Sequence, residues 1–310
     1  MNTSIPIPSF PVLETRSRVL RAVREFFFQE GFIEVETPIR IPAPALEAHI
    51  DAPPSGKAWL RTSPELHMKR LLAAGHSRIF QMGPCFREQE CGTRHNPEFT
   101  LLEWYRTHSD YLDILRDTEQ LIQFVFSSLD PPSGFSFQGQ PIRLAPPWPR
   151  MTVRDTFLKW AGWDPVAAWD ANRFDTDLLE RVEPALPRDR PCVLMDYPAP
   201  AAALARLKPG DDHVAERWEV YLGGYEIANA YSELCDATAQ RARFEAAAET
   251  RRQRGQAVYA LDEPFLHALE QGIPPCGGIA LGIDRLVMLA CDKTDIAAVR
   301  PFCQRPGEQW

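Results

Sequence analysis

Residues 86–106 read FREQECGTRHNPEFTLLEWYR, and this stretch decides the fold. An apolar run, RIFQMGPCF, leads into it and a second, EFTLLEWYR, closes it, and such runs predict two antiparallel strands. The residues between the runs are polar and carry both signs of charge, which is typical of an exposed loop. The sequence therefore predicts a hairpin that presents arginines and acids together.

The chain before this hairpin predicts two helices and short strands. Residues 14–30 carry an apolar stripe at helical spacing, and Gly31 follows at a natural helix end. The run FIEVETPIRI then alternates like a strand until Pro38 interrupts it. A second helix is expected after Ser63, which would cap it, with Pro64 in the first turn.

The chain after the hairpin predicts the remaining elements. A helix is expected over 111–129, a buried strand over 192–198 and a second hairpin over 219–234, where Gly-Gly joins two apolar runs. Another helix covers 236–254, and residues 276–290 predict a strand that runs into a helix. This order favours an α+β fold, an antiparallel β-sheet flanked by helices.

The chain length bounds the number of domains. The 310 residues, 45% of them hydrophobic, suggest one large or two modest domains. We expect a single catalytic domain over 1–310, with a proline-rich helical insertion at about 130–190. No internal repeat or low-complexity tract is evident.

The overall charge and the N-terminal sequence narrow the class of protein. A net charge of −8 disfavours a broad cationic face, so a tRNA-sized partner is not expected. The N-terminus lacks a basic and apolar leader, and no run approaches the ~20 apolar residues of a membrane span. We expect a cytoplasmic protein without a membrane partner. The odd number of cysteines, seven, and the lack of paired metal spacing predict reduced thiols and no structural zinc.

Several cationic residues suit phosphate groups. Arg87 ends a predicted strand, while Arg94 and His95 lie on the loop, and guanidinium groups bind phosphate oxygens in a bidentate manner. Arg285 follows the small-residue run GGIALGID, which leaves room for a ligand. The alternatives are a solvated hairpin loop and a tightly packed helix–strand junction that would explain the glycines.

The second hairpin predicts a metal site. A two-residue turn at Gly223 and Gly224 pairs Tyr221 with Glu226, which places Glu219 and Glu226 on one face of the sheet. Two carboxylates ~7–8 Å apart repel unless a cation lies between them. Mg²⁺ that bridges these carboxylates to a polyphosphate would remove the repulsion. The alternative is an exposed strand face whose carboxylates point to water.

A third group combines acids with a tyrosine in apolar surroundings. Glu65, Glu103, Tyr105 and Glu233 each adjoin apolar residues, and no nearby Lys or Arg is an obvious partner for each acid. A ligand with ammonium groups would satisfy these acids, and the tyrosine hydroxyl would help to orient it. Ordinary ion pairs within the fold are the alternative.

These motifs resemble those of one enzyme family. FREQECGTRHNPEF resembles motif 2 of the class II aminoacyl-tRNA synthetases, GGIALGIDRL resembles motif 3, and GFIEVETPIRI resembles motif 1. RTSPELHMKRLL, RHNPEFTLLEWYR and GGYEIANAYSEL resemble the lysyl-tRNA synthetase branch more particularly. The matches extend from about residue 14 to 300 in the order of the family, which implies its catalytic-core fold.

The resemblance also implies an activity. Lysyl-tRNA synthetases carry an N-terminal anticodon-binding barrel, whereas motif 1 begins here near residue 14, so we expect no such domain. The chain resembles a paralogue that activates (R)-β-lysine with ATP and Mg²⁺ as an acyl-adenylate. That paralogue then transfers the acyl group to a lysine ε-amine of translation elongation factor P. The resemblance implies a homodimer through motif 1 as well.

The matching positions assign roles to single residues. Arg87 and Arg285 are implied as catalytic, and Glu219 and Glu226 as metal ligands. The implied ATP-binding residues are Arg87, Glu88, Gln89, His95, Asn96, Phe99, Glu226, Ile227, Gly282 and Arg285. The implied substrate-binding residues, for lysine or β-lysine, are Ser63, Glu65, Glu103, Tyr105, Asn229, Glu233 and Ala280.

Two positions depart from the family pattern. Gln89 stands where motif 2 usually has glutamate, and an amide still offers a donor and an acceptor to adenine. Ala280 stands where lysyl-tRNA synthetases typically have glycine, and one methyl group can shift α- against β-amino acid preference by ~1–3 kcal/mol. Two other functions are considered: a freestanding α-lysine-activating enzyme that acts on tRNA or a small acceptor, and a synthetase-like regulatory module.

Overall fold

A computed structural model describes residues 7–129 and 135–304 of the chain. The α-helices of these ranges are α1 (Phe10–Gln29), α2 (Glu65–Ala73), α3 (Tyr111–Ser128), α4 (Val153–Trp160), α5 (Ala171–Asp177), α6 (Ala237–Gln253), α7 (Glu263–Gln271) and α8 (Ile283–Ala290). Within the same ranges, no helix has the length and apolar character that crossing a membrane requires.

The strands are short at the start of the chain and longer where they carry the predicted motifs. They are β1 (Ile33–Glu34), β2 (Arg40–Ile41), β3 (Pro54–Ser55), β4 (Ala58–Leu60), β5 (Arg78–Phe86), β6 (Glu98–Thr107), β7 (Phe135–Phe137), β8 (Gln140–Ile142), β9 (Arg150–Thr152), β10 (Cys192–Pro198), β11 (Leu207–Lys208), β12 (Asp211–Leu222), β13 (Tyr225–Ser232) and β14 (Cys276–Gly282). Most pairings are antiparallel, and helices flank the strands, so the α+β prediction is confirmed.

The chain divides into two compact units. The first unit comprises Met1–Thr107, Cys235–Pro274 and Gly282–Trp310. The second unit comprises His108–Leu234 and Pro275–Leu281. Each unit is built from segments that are distant in sequence.

The first unit contains the predicted hairpin. Strand β5 pairs antiparallel with β6, and the pair from Phe86 to Glu98 closes the ladder beside the loop. Strand β1 adds to β5 in parallel, and β2, β4 and β3 form a separate antiparallel sheet. Both runs that flank the loop are therefore strands, as predicted.

Aromatic side chains fill the core of the first unit. The ring of Phe27 on α1 stacks on Phe80 of β5 with centroids 4.6 Å apart, and Phe32 and Trp104 surround it. Helix α1 ends where predicted, since Gly31 follows it with φ of +74°, a conformation that glycine adopts without strain. The helix begins earlier than predicted, at Phe10, because proline is tolerated in a first turn.

The second unit contains a larger sheet in the order β14, β13, β12, β10, β9, with β11 paired to β12. Helix α3 packs against β12 and β13. It begins at a capping box in which Asp110 and Asp113 exchange side-chain and backbone hydrogen bonds. Strands β12 and β13 form the predicted Gly-Gly hairpin, and Tyr221 pairs with Glu226 as predicted.

A close approach explains one glycine of the GGIALGID run. A Cβ atom built at Gly277 on β14 would lie 2.6 Å from Ile114 Cγ1 and 2.8 Å from the backbone oxygen of Asp110, at the start of α3. Only glycine fits between the strand and the helix at this position. The packing alternative considered from the sequence therefore holds for Gly277.

One local prediction was wrong, and one helix was missed. The run FIEVETPIRI, predicted as one strand, contains the short strands β1 and β2 with irregular chain between them, where the Thr37 N–H donates to the Gln81 side chain and not to the backbone of β5. Helix α7 was not predicted, although Asp262 caps it by accepting a hydrogen bond from the Phe265 N–H.

The region predicted as an insertion is mixed. Residues 130–134 lie outside the described ranges, while 135–190 contain the β7–β8 hairpin, helices α4 and α5, and β9. Strand β9 pairs in parallel with β10 and so belongs to the main sheet of the second unit. Phe157, Trp163 and Phe174 pack with Tyr197 and Tyr221 into one core cluster.

Candidate functional site

The 87–97 loop between β5 and β6 is held by backbone hydrogen bonds. The Arg87 N–H donates to the Pro97 oxygen, and the Glu88 N–H donates to the Asp51 oxygen at 2.8 Å. The Gln89 backbone is left-handed, with φ of +67°. The first bond closes the base of the loop, and the second holds the beginning of the loop against Asp51.

Arg87 has unused hydrogen-bonding capacity. Its guanidinium lies 5.1 Å from the centroid of the Phe99 ring, and Nη1 is 3.4 Å from Glu90 Oε1. The buried Nε has no hydrogen-bond partner among the described residues. A buried N–H donor without a partner is costly, so Nε is suited to donate a hydrogen bond to an incoming anion.

Arg285 on α8 reaches the same loop. Its Nη2 lies 2.7 Å from His95 Nε2. Burial lowers the pKa of His95 and Arg285 lowers it further, while Glu90 opposes them; Arg87 and Arg94 add smaller lowering effects. A neutral imidazole can accept the hydrogen bond from Arg285. The structure thus brings Arg87, Arg94 and Arg285 close to His95.

Asn96 is predicted to bind ATP, but its amide is used by the protein itself. Nδ2 donates to the Glu98 backbone oxygen at 2.6 Å, and Oδ1 accepts from the Gln304 N–H at 2.9 Å. Asn96 therefore fixes the end of the 87–97 loop.

Asp284, which precedes Arg285, is structural. It is buried and accepts hydrogen bonds from the Thr100 N–H and from Arg16, and Arg300 lies 3.7 Å away. These contacts fix the start of α8, where Gly282 is the N-cap, against β6 and α1. The sequence alone did not explain Asp284, whose partners lie far away along the chain.

A second group in the first unit surrounds Glu103. This carboxyl is almost fully buried and accepts hydrogen bonds from Ser63 Oγ at 2.5 Å and Tyr105 OH at 2.8 Å. Burial raises the pKa of Glu103 to about 8, and the nearby Glu65 raises it as well. The Glu65 N–H donates to Ser63 Oγ at 3.0 Å. The first unit therefore brings Ser63, Glu65, Glu103 and Tyr105 together, whereas Glu233, a member of the predicted acidic group, belongs to the second unit.

The expectation that Glu65 lacks a cationic partner was wrong. Lys69 Nζ lies 2.5 Å from Glu65 Oε1, and the lysine is buried. The two residues are four apart on α2, a spacing that favours such pairs, so the sequence contained this signal. Lys69 balances the partly buried Glu65 carboxylate and leaves the buried Glu103 without a direct ion pair in this group of described residues.

The second unit contains the predicted acid pair. Strands β12 and β13 pair Glu219 with Asn229 and Tyr221 with Glu226, and the register shift between these pairs leaves Ile227 as an extra residue. The bulge keeps Glu226 and Asn229 on the face of Glu219. The same-face prediction is confirmed.

Glu219 has protein partners that the sequence reasoning did not find. Oε1 accepts from Arg217 Nη2 at 2.6 Å, while Oε2 accepts from Tyr197 OH at 2.6 Å and Tyr221 OH at 2.9 Å. The pKa of Tyr197 rises well above its usual value through burial and then through Glu219, with a smaller effect of Glu226. Arg217 lies two residues before Glu219 on one strand face, which is the signal that could have revealed it.

The contacts of Glu219 leave it able to offer one oxygen to a magnesium ion. A carboxylate provides about four lone-pair positions. Three of them are used by Arg217, Tyr197 and Tyr221, so one remains on Oε1. Across residues 7–129 and 135–304, no three His, Cys, Asp or Glu side chains converge on a metal position. The donor set therefore suits an ion that keeps water or phosphate oxygens as further ligands.

The remaining predicted substrate residues of the second unit lie on β13 and β14 or directly after β13. Asn229 pairs with Ala280 across the two strands. Asn229 Nδ2 donates to Tyr231 OH, while its buried Oδ1 accepts no hydrogen bond within the described ranges. Glu233 is buried just after β13, where its N–H donates to the Cys276 oxygen.

A sequence model of the family described as tRNA synthetases class II (D, K and N) matches residues 9–306. The chain belongs to this family. Among curated relatives, the elongation factor P–(R)-β-lysine ligase of Mannheimia succiniciproducens is 38% identical, with 95% of this chain and 96% of that protein aligned. The corresponding ligase of Hamiltonella defensa is 39% identical over the same shares.

A lysine–tRNA ligase is nearly as similar to this class II synthetase. The enzyme of Moorella thermoacetica is 37% identical, with 96% of this chain aligned to 66% of that protein. Identity alone therefore separates the two kinds of relative poorly, and the residues of the site must distinguish between their activities.

Proposed function

We propose that the protein is an ATP-dependent ligase that joins (R)-β-lysine to a lysine side chain of translation elongation factor P. The β-lysine carboxylate attacks the α-phosphorus of ATP, which forms an acyl-adenylate and releases pyrophosphate. The acceptor ε-amine then attacks the acyl carbon, loses a proton, and releases AMP. The relatives named elongation factor P–(R)-β-lysine ligase support this reaction.

The observation that carries the proposal is the buried acidic group of the first unit. Glu65 and Glu103 lie close enough to raise the pKa of Glu103, and Lys69 pairs with Glu65. A ligand ammonium would stabilise the ionised form of Glu103, which burial disfavours. Tyr105 and Ser63 orient this carboxyl by hydrogen bonds. Lys69 pairs with Glu65, so an ammonium group of a diamino acid would provide the cation for Glu103.

The cationic residues of the first unit would bind ATP. We assign the α-phosphate to Arg87, whose Nε has unused hydrogen-bonding capacity, and the γ-phosphate to Arg285. Both guanidinium groups stabilise charge that grows as the carboxylate attacks phosphorus. Positioning and electrostatics then account for most of the rate, without a covalent enzyme intermediate.

Glu219 and Glu226 would hold Mg²⁺, whose chemistry is to neutralise phosphate oxygens when bound. We further assign Glu88, Gln89, His95, Phe99, Ile227 and Gly282 to ATP binding, and Asn229, Glu233 and Ala280 to the amino acid. Asn96 is assigned to ATP binding through the loop that it fixes. We propose a cytoplasmic enzyme, because its proposed acceptor is a translation factor.

The decisive experiment combines the purified protein with ATP, Mg²⁺, (R)-β-lysine and elongation factor P. We expect elongation factor P to gain one β-lysyl group, detected by mass spectrometry of the intact acceptor. Transfer to tRNA without transfer to elongation factor P would refute the proposal. Failure to form an adenylate with any amino acid of a panel would favour a regulatory module.

A lysine–tRNA ligase relative at 37% identity makes α-lysine the second candidate substrate. ATP–pyrophosphate exchange with α-lysine and with (R)-β-lysine, measured side by side, separates the two. We expect the higher specificity constant with (R)-β-lysine. A higher value with α-lysine would support a freestanding lysine-activating enzyme.

Glu233 provides a test of amino-acid binding. Glu233→Gln removes the charge that would pair with the substrate ammonium, so we expect KM for the amino acid to rise by about 10–100-fold. KM for ATP should stay within about twofold. An unchanged KM for the amino acid would contradict the assignment of Glu233.

A further inference from the structure

Tyr197 lies on an unexpected face of its strand. Side chains three residues apart on a regular strand point to opposite faces. On β10, however, Leu194 and Tyr197 pack into the same core cluster of the second unit. The pairing with β12 shifts between Met195 and Tyr197, and Asp196 between them is left-handed, with φ of +60°. This irregularity turns Tyr197 to the side of Glu219, the strand partner of Leu194.

Two hydrogen bonds hold Asp196 in this conformation. Tyr111 OH donates to Oδ1 at 3.0 Å, and Lys208 Nζ donates to Oδ2 at 2.5 Å. A left-handed backbone is unfavourable for residues other than glycine, although Asp and Asn tolerate it best. Asp196 therefore tolerates this backbone conformation, and its side chain is held by Tyr111 of α3 and Lys208 of β11.

Both oxygens of Glu219 depend on the resulting position of Tyr197. The hydroxyl donates to Oε2 at 2.6 Å, and the ring lies 4.4 Å from the Arg217 guanidinium, which donates to Oε1. Hydrogen-bond partners of a metal-binding carboxylate orient it, and their loss typically weakens metal binding ~10–100-fold.

We propose that Asp196 is a positioning residue for the metal site. Its left-handed backbone, anchored by Tyr111 and Lys208, places the Tyr197 hydroxyl on Glu219 and so orients the carboxylate toward the ion. The proposal rests on the proposed function, in which Glu219 is a magnesium ligand.

The test measures binding of Mn²⁺ directly by electron paramagnetic resonance, in the presence of α,β-methylene-ATP. Tyr197→Phe and Asp196→Val should each weaken Mn²⁺ binding by about tenfold or more. The double variant should bind no more weakly than either single one, because both act through one hydroxyl. Asp196→Asn should stay within about twofold, since Asn tolerates the backbone and still accepts from Tyr111.

Asp292 provides a matched control, because it is another aspartate with a left-handed backbone, at φ of +51° in the first unit. We expect the Asp292→Val variant to be less stable than the wild type and to bind Mn²⁺ with the affinity of the wild type. If Asp196→Val does not fold, Asp196→Ala takes its place.

The two proposals fail in different ways. Wild-type Mn²⁺ affinity in Tyr197→Phe or in the folded Asp196 variant, with binding lost in Glu219→Gln, would overturn the role of Asp196. Wild-type affinity in Glu219→Gln would overturn the metal assignment itself.

Discussion

Glu103 shows how burial changes the behaviour of one residue. Its pKa is raised from 4.5 to about 8, chiefly by burial and next by Glu65. The folded chain therefore binds a proton that the unfolded chain releases between these two values. The stabilisation that this bound proton gives the folded state is complete below about pH 4.5, and it is lost as the pH rises to about 8.

We predict that the unfolding free energy of the ligand-free protein falls between about pH 5 and pH 8.5, and that Glu103→Gln removes much of this fall. Chemical denaturation across the range measures it. Glu30→Gln, at the exposed end of α1, should keep the wild-type slope. An equal slope in Glu103→Gln and the wild type would show that Glu103 is not protonated in the folded state.

Ala280 is a second residue whose effect should be specific. It lies opposite Asn229 on β13, so its methyl group occupies the strand face that carries the assigned substrate residues. Ala280→Gly should shift the ratio of exchange activities toward α-lysine by about 10–200-fold. Ala230→Gly, at the neighbouring position of β13, should leave the ratio unchanged. A constant ratio in Ala280→Gly would exclude Ala280 from selectivity.

At the scale of elements, helix α6 anchors an irregular segment. Arg251 is fully buried and donates to the backbone oxygens of Glu47, Ile50 and Ala257, and it pairs with Asp51. The Asp51 oxygen in turn accepts the Glu88 N–H of the 87–97 loop. One helix residue thus supports the segment on which the loop rests.

Arg251→Met should lower the unfolding free energy by about 3 kcal/mol, because it leaves several buried acceptors without partners. Arg252→Met on the same helix changes an exposed side chain and should cost at most about 0.5 kcal/mol. Equilibrium denaturation of both variants provides the comparison. Equal losses in the two would contradict the anchoring role.

At the scale of the whole molecule, exposed apolar residues on α1 and β1 favour self-association. Phe10, Phe28 and Ile33 are 77%, 56% and 57% exposed. We propose a two-fold dimer through α1 and β1, in which each copy covers the same patch of the other.

Sedimentation velocity at micromolar concentration should show a dimer. Phe28→Glu combined with Ile33→Glu should give a monomer, since buried charges without partners oppose association. Leu158→Glu on α4, which changes a similarly exposed leucine, should remain dimeric. A monomeric wild-type protein would reject this assembly.

Local patterns in the sequence determined the main elements of this protein. The runs around the 87–97 loop, the Gly-Gly hairpin and the small-residue strand before α8 depend on neighbours within a few residues, so alternation and turn residues predicted them. The pairing of Tyr221 with Glu226 followed from the turn alone. The same patterns placed Arg87 and Arg285 among the candidate phosphate ligands.

Only the tertiary structure decided which polar groups meet across the chain. Asp284 is fixed by Arg16, and Arg251 binds Asp51, through contacts between segments far apart in sequence. The face of Tyr197 depends on the left-handed backbone of Asp196, which is anchored by residues of other elements. Strand periodicity predicts the opposite face, because it is local, whereas the bulge is stabilised by contacts that form only when the second unit folds.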